Sequence, residues 1–70
     1  MAKFTGTVRM NELEGGFLEL ATDEGDVYRL EGKVAAEAGD RVRVTGKLDE
    51  GGFGLQMTGP ALTVEKIEKL

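Results

Sequence analysis

The sequence predicts a small all-β fold: five or six short strands in Greek-key order, closed into a barrel. Three observations lead there. Apolar residues alternate with polar ones along most of the chain, the period of strands that bury one face. Eleven glycines but a single proline punctuate 70 residues, as expected where tight turns join short strands. Finally, a sheet this small exposes unpaired edges unless it closes on itself.

The elements follow in order. Phe4, Gly6, Val8 and Met10 alternate with Thr5, Thr7 and Arg9 in a first strand. Glu14-Gly15-Gly16 reads as a hairpin turn. Leu18 and Leu20 alternate with Phe17, Glu19 and Ala21 in the second strand. Asp23-Glu24-Gly25-Asp26 is the next turn, and Tyr28 and Leu30 alternate with Val27, Arg29 and Glu31 in the third. The pattern then changes. Val34-Ala35-Ala36-Glu37-Ala38 is rich in helix formers and Gly39 is placed as a stop, so a short helix is expected there. Val42, Val44, Gly46 and Leu48 alternate with Arg41, Arg43, Thr45 and Lys47 in a long fourth strand. After the turn Asp49-Glu50-Gly51-Gly52, Phe53, Leu55 and Met57 fold back as its hairpin partner. Thr58-Gly59-Pro60 breaks that strand, because proline cannot donate to a ladder. Leu62 and Val64 open a last strand. Ile67 and Leu70 follow at spacing three, the mark of a bulge or a terminal turn.

Three meandering strands, a short helical connection and two or three further strands give the order of an OB-type barrel, with an SH3-like barrel as the alternative. Mid-strand Gly6 and Gly46 fit the sharp bends that closure demands. The predicted core is Phe4, Val8, Met10, Leu18, Leu20, Tyr28, Leu30, Val42, Val44, Leu48, Leu55, Leu62, Val64 and Ile67, in one domain over residues 1–70. The stretch from Ala38 to Leu48 (AGDRVRVTGKL), followed by Ala61 to Ile67 (ALTVEKI), resembles the second half of small bacterial OB-type domains. Those domains carry a G-x-x-V-x-V-x-G strand and a closing L-x-V-x-x-I strand. The first half, with Thr5-Gly6-Thr7-Val8 and a Gly-Gly hairpin, is compatible. The resemblance implies the OB-like fold; many members of such groups are uncharacterised, so it implies no activity.

Composition narrows the chemistry. A chain this short buries only about 60% of its unfolded surface, so stability is thin. With no cysteine and no histidine, disulfides and the usual zinc sites are excluded, and the core rests on apolar packing. No apolar run approaches the roughly 18 residues of a membrane helix. Strand pattern begins directly after Met1-Ala2-Lys3 without a signal peptide. The expected compartment is therefore cytoplasmic, although an exported chain trimmed of its leader reads the same. Thirteen acids against nine bases give a net charge of −4, which disfavours nucleic acid, whose affinity rests on neutralised phosphates.

The acids do not assemble a catalytic pair. Glu14, Asp23, Glu24, Asp26, Asp40, Asp49 and Glu50 sit in or beside turns. General acid–base work needs carboxyls held together with their pKa values driven apart. The threonines have no base beside them to activate a hydroxyl. Asp23-Glu24-Gly25-Asp26 has calcium-type oxygens but lacks the spacing and distal glutamate of a calcium loop. Gly15-Gly16 and Gly51-Gly52-Phe53-Gly54 lack the Gly-Lys-Ser/Thr that opens a phosphate loop. No enzyme, cofactor or metal site is expected.

The basic residues are more informative. Arg9, Arg29, Arg41 and Arg43 all fall on outward positions of strands. Phe17 beside Arg29, with Arg9 on the adjacent strand, makes the best candidate ligand patch, with Arg41 and Arg43 as further cations. Such faces bind single-stranded nucleic acid or oligosaccharide in OB barrels. Pairing of Arg9 or Arg29 with Glu19 and Glu31 gives the same pattern for stability alone. Phe53, Leu55 and Met57 form a second apolar stripe, either capping the core or serving as a partner or homodimer contact. The leading expectation is a non-catalytic module for a protein or peptide; a single-strand or oligosaccharide binder, and a structural or engineered scaffold without natural ligand, are the alternatives.

Overall fold

The computed structural model of the protein describes residues 2–49 and 60–70. Alternating β-branched and aromatic residues form β1 (Ala2–Asn11), β2 (Phe17–Thr22), β3 (Val27–Glu31), β4 (Arg41–Asp49) and β5 (Ala61–Lys69). One sheet runs in the order β1-β2-β3-β5-β4 and closes where β4 pairs back onto β1. Neighbours are antiparallel except β3 and β5, which are parallel over Arg29–Glu31 and Ala61–Thr63.

Closure requires β1 to serve two partners. It pairs with β4 over residues 2–7 and with β2 over residues 6–11. Gly6 lies in the overlap, where the ladders crowd the backbone. A Cβ there would strike the Ala21 carbonyl oxygen and lie 2.7 Å from Thr22 Cα. Gly46 plays the same part on β4. A Cβ there would strike the Thr63 carbonyl oxygen and sit 2.9 Å from its carbon. The β4–β5 register shifts at Thr45/Gly46, passing over Glu65 on β5. Of the bulge or terminal turn expected in the last strand, the bulge is present, at the three-residue step from Val64 to Ile67, and both glycines are corners of the barrel.

The interior is filled by Val8, Leu20, Tyr28, Leu30, Val42, Val44 and Leu62, with Phe4, Leu18, Leu48, Val64 and Ile67 packed around them. The Phe4 and Tyr28 rings meet with centroids 4.7 Å apart and planes tilted by 49°. Ala61 is also buried, an addition to the expected set. Met10 is a correction: it has the inward parity of Val8 yet is 54% exposed. Pairing of β1 with β4 ends at Thr7, so beyond Val8 the described part of β4 no longer stands opposite. Leu55 lies outside the described residues, as does the expected strand through Phe53, Leu55 and Met57.

The expected helix at 34–38 is not formed. The segment is extended: Val34 and Ala36 pack on the core while Lys33, Ala35 and Glu37 face outward. Five residues close little more than one helical turn, whose nucleation is costly. Two apolar side chains at i and i+2 reach one surface only from an extended chain. Gly39 belongs to a turn in which Asp40 N–H donates to Glu37 O (3.0 Å) and Glu37 N–H to Asp40 Oδ2 (2.9 Å). The loop is stitched to β1 by Gly39 N–H to Val8 O (2.7 Å) and Val8 N–H to Asp40 O (2.9 Å). Among the described residues, helical geometry occurs instead in a 3-10 turn, Leu13–Gly15, just where the β1–β2 hairpin turn is expected.

Candidate functional site

The outer face of β1–β2–β3 carries the patch anticipated from alternation. Register places Arg9 opposite Glu19 and Glu19 opposite Arg29, with Phe17 opposite Asn11. Phe17 is thus diagonal to Arg29 across the β2–β3 pair, within reach of a long side chain. The Arg29 guanidinium carbon stands 4.7 Å from the Phe17 ring centroid, a cation–π contact of about 0.5–1 kcal/mol at a surface. Arg29 Nε also approaches Glu31 Oε2 at 3.7 Å.

Glu19 organises the other side. Its Oε1 accepts from Arg9 Nη2 at 3.1 Å and its Oε2 from Asn11 Nδ2 at 3.2 Å. Only 5% of Glu19 is exposed, although its position faces outward. Alternation predicts direction but not cover, and long polar neighbours have folded over it. The patch therefore holds two cations, Arg9 and Arg29, each with a carboxylate within 4 Å.

Arg41 and Arg43 do not join Phe17. They face outward on β4, where Arg41 is opposite Thr7 and Arg43 opposite Thr5; β1 separates them from β2. Arg41 grips Asp23 in a two-pronged bond, Nη1 to Oδ1 at 2.5 Å and Nη2 to Oδ2 at 2.9 Å. This ties the β2–β3 turn to the start of β4. The guanidinium hydrogen bonds hold the Asp23 carboxyl below its ordinary value; desolvation opposes them, and the charge of Arg41 adds a lesser lowering. The first oxygen pair of the run Asp23-Glu24-Gly25-Asp26 is thus committed to a guanidinium. Arg43 is exposed and, among the described residues, has no ion pair. Phe53, Leu55 and Met57, nominated as a partner contact, lie outside the described residues.

Sequence reasoning missed the rim at the β1–β2 connection. Met10 and Leu13 are 54% and 61% exposed. Leu13 is held by its N–H donating to Asn11 Oδ1 (2.9 Å) and its carbonyl accepting from Gly16 N–H (2.9 Å). Half-buried Leu18 stands opposite Met10 in the ladder and Phe17 is the next residue along. The available signal was Leu13 itself, an apolar residue between two glutamates in a turn.

A family model matches residues 5–70, nearly the whole chain. The chain belongs to the DUF5818 family. That family is described as a protein of unknown function, and the match begins within β1 and takes in β2 to β5 entirely. No match was found among curated proteins or among solved structures.

Proposed function

We propose that this DUF5818 chain is a non-catalytic binding domain on an OB-like barrel, engaging a protein or peptide through the Met10–Leu13 rim. The OB-like reading is supported by the order β1-β2-β3-β5-β4, with β1 shared between β2 and β4 and a parallel β3–β5 contact. The observation that carries the functional reading is the pairing of two exposed large apolar residues, Met10 and Leu13, at one turn beside Leu18 and Phe17. Exposed apolar groups gathered at one place are a signature of association. The polar patch next to them favours a neutral partner over a polyanion: Arg9 is bonded to Glu19, and Arg29 lies on the Phe17 ring with Glu31 close by.

Completing the burial of Met10 and Leu13 is worth about 1–2 kcal/mol each, taking half to two-thirds of a full side-chain transfer. Panning a random peptide phage library on the folded domain, followed by calorimetric titration of a selected peptide, tests this. The expected result is at least a tenfold loss of affinity in both Met10→Asp and Leu13→Asp, and none in Arg43→Gln. Failure to select any peptide, or peptides indifferent to both aspartate substitutions, overturns the reading.

A further inference from the structure

The main chain at the rim has an opening that the apolar side chains do not account for. Val8 N–H donates to Asp40 O and Val8 O accepts from Gly39 N–H, so the Val8 amides face the β4 side of β1. Thr5 O accepts from Asp23 N–H, so the odd residues face β2. The amides of a strand alternate between its two edges, and residues two apart share an edge. Met10 therefore turns its N–H and C=O to the same edge as Val8. Among the described residues nothing meets them there. The β1–β4 pairing stops at Thr7, Gly39 and Asp40 reach only as far as Val8, and the chain before them turns away through residues 37–40. The end of β5 shows how the fold guards such an edge. Beyond Thr63, β5 has no β3 partner and carries Glu65, Lys66, Glu68 and Lys69, charges of the kind that keep an edge from recruiting another chain. At Met10 the edge is apolar instead, with exposed Met10 and Leu13 beside it.

An open N–H and C=O on one residue select the form of the occupant. A helix keeps its amides for its own bonds, whereas an extended chain presents a carbonyl and an N–H to match. On the line that β4 would hold past Asp40, antiparallel to β1, one residue of such a chain exchanges both bonds with Met10. Its side chain falls on the same face as that of Met10, which an apolar residue suits. The turn at Gly39 and Asp40 blocks the line at Val8, so the chain lies against Met10 and the two residues after it, a length of roughly 10 Å. Charge selects the flanks. Arg9 is bonded to Glu19, and Asp40 has Lys69 at 3.6 Å. Beyond these neutral pairs stand Glu12, next but one to Met10, and Glu37, in the loop that reaches Val8. Both are exposed and, among the described residues, have no ion pair. In a chain of net charge −4 they favour cations on either side of the apolar residue.

We propose that the rim takes a short extended segment of a partner polypeptide, apolar at its centre and basic on both sides, which adds to the free edge of β1 through main-chain bonds with Met10. This binding mode rests on the rim reading and adds the conformation and charge of what binds there. The main-chain bonds give affinity without reading sequence, and the centre and flanks give selectivity. Salt weakens the complex, because the two carboxylates are exposed.

Titration of the isotope-labelled domain by nuclear magnetic resonance tests this. The probe is a short capped peptide with leucine at its centre, lysine two positions to either side and threonine elsewhere. Expected are shifts of the Met10 and Leu13 amides with a Kd of about 1 mM or tighter, and several-fold slower exchange of the Met10 amide proton at saturation. Methylation of the leucine nitrogen should cost at least tenfold in affinity, and so should glutamate in place of both lysines. Glu12→Gln/Glu37→Gln should bring the lysine and glutamate peptides to within about threefold of each other. Circular dichroism checks that each variant keeps the wild-type fold. Shifts that persist unchanged in Met10→Asp and Leu13→Asp refute the rim itself. With the rim intact, equal binding of methylated and parent peptides, or an unprotected Met10 amide, overturns strand addition. Equal binding of the lysine and glutamate peptides overturns the charge assignment. No shift at millimolar peptide overturns the binding mode outright and leaves the rim to be judged by the panned peptides.

Discussion

Replacing Gly46 by alanine adds one methyl group at the corner where β4 meets β5. The new Cβ would strike the Thr63 carbonyl oxygen and lie 2.9 Å from its carbon and 3.3 Å from Val64 Cα. All three are backbone atoms, so no side chain can rotate aside. The strands must part by about 1.5 Å to restore an ordinary contact near 3.5 Å. Moving β4 the other way presses it on β1, because Gly46 is also opposite Ala2. Overpacking costs about 1–3 kcal/mol, and one or two weakened ladder bonds add about 1 kcal/mol each. The sum, about 2–5 kcal/mol, compares with a total of about 4–10 kcal/mol for a domain of this length. At roughly 4–8 °C per kcal/mol the melting temperature falls by about 8–40 °C, or the chain does not fold. Thermal melts by far-ultraviolet circular dichroism measure the shift. Gly6→Ala should behave alike, since its Cβ meets Ala21 and Thr22 backbone. Gly25→Ala is the control: its site is open and only the backbone angle of +98° opposes a side chain, a strain of about 1–2 kcal/mol. A Gly46→Ala protein that melts within about 3 °C of wild type, or above Gly25→Ala, refutes the corner argument.

Other outcomes follow from individual contacts. Asp23 has its folded pKa lowered by Arg41 from the ordinary 3.8; the bond therefore stabilises above the unfolded value and is lost as pH falls through the lower folded one. The difference in melting temperature between wild type and Asp23→Asn should be largest near neutrality and vanish in strong acid; a difference that persists there refutes the linkage. Glu19→Ala leaves Arg9 and Asn11 without their shared acceptor and should cost about 1–3 kcal/mol by urea denaturation; Glu31→Ala, at an exposed pair, should cost under about 1 kcal/mol. Leu20→Ala empties a fully buried site and should cost about 2–5 kcal/mol, whereas Met10→Ala should fall within about 1 kcal/mol, a contrast that fails if Met10 is core.

Period-two alternation, a local property of the chain, made the inward set from Val8 to Leu62 readable, and with it the five described strands. Gly6 and Gly46 were equally legible, because a glycine inside a strand marks a place where a side chain has no room. The pairing of Phe17 with Arg29 was within reach because a short turn fixes the register of two consecutive strands. Other features depended on what comes to lie alongside. Val34–Ala38 has helix-forming residues, but the core offered room for two alternate side chains and drew the segment out straight. Met10 has inward parity, yet the β1–β4 pairing, which ends at Thr7, leaves it exposed. Glu19 points outward and is buried by its neighbours' side chains. The free main-chain edge at Met10 exists only because the chain leaves β1 at Gly39 while β1 itself runs on to Asn11. Local spacing dictates which way a side chain points; strand order and register, set by closure of the whole sheet, dictate which side chains meet.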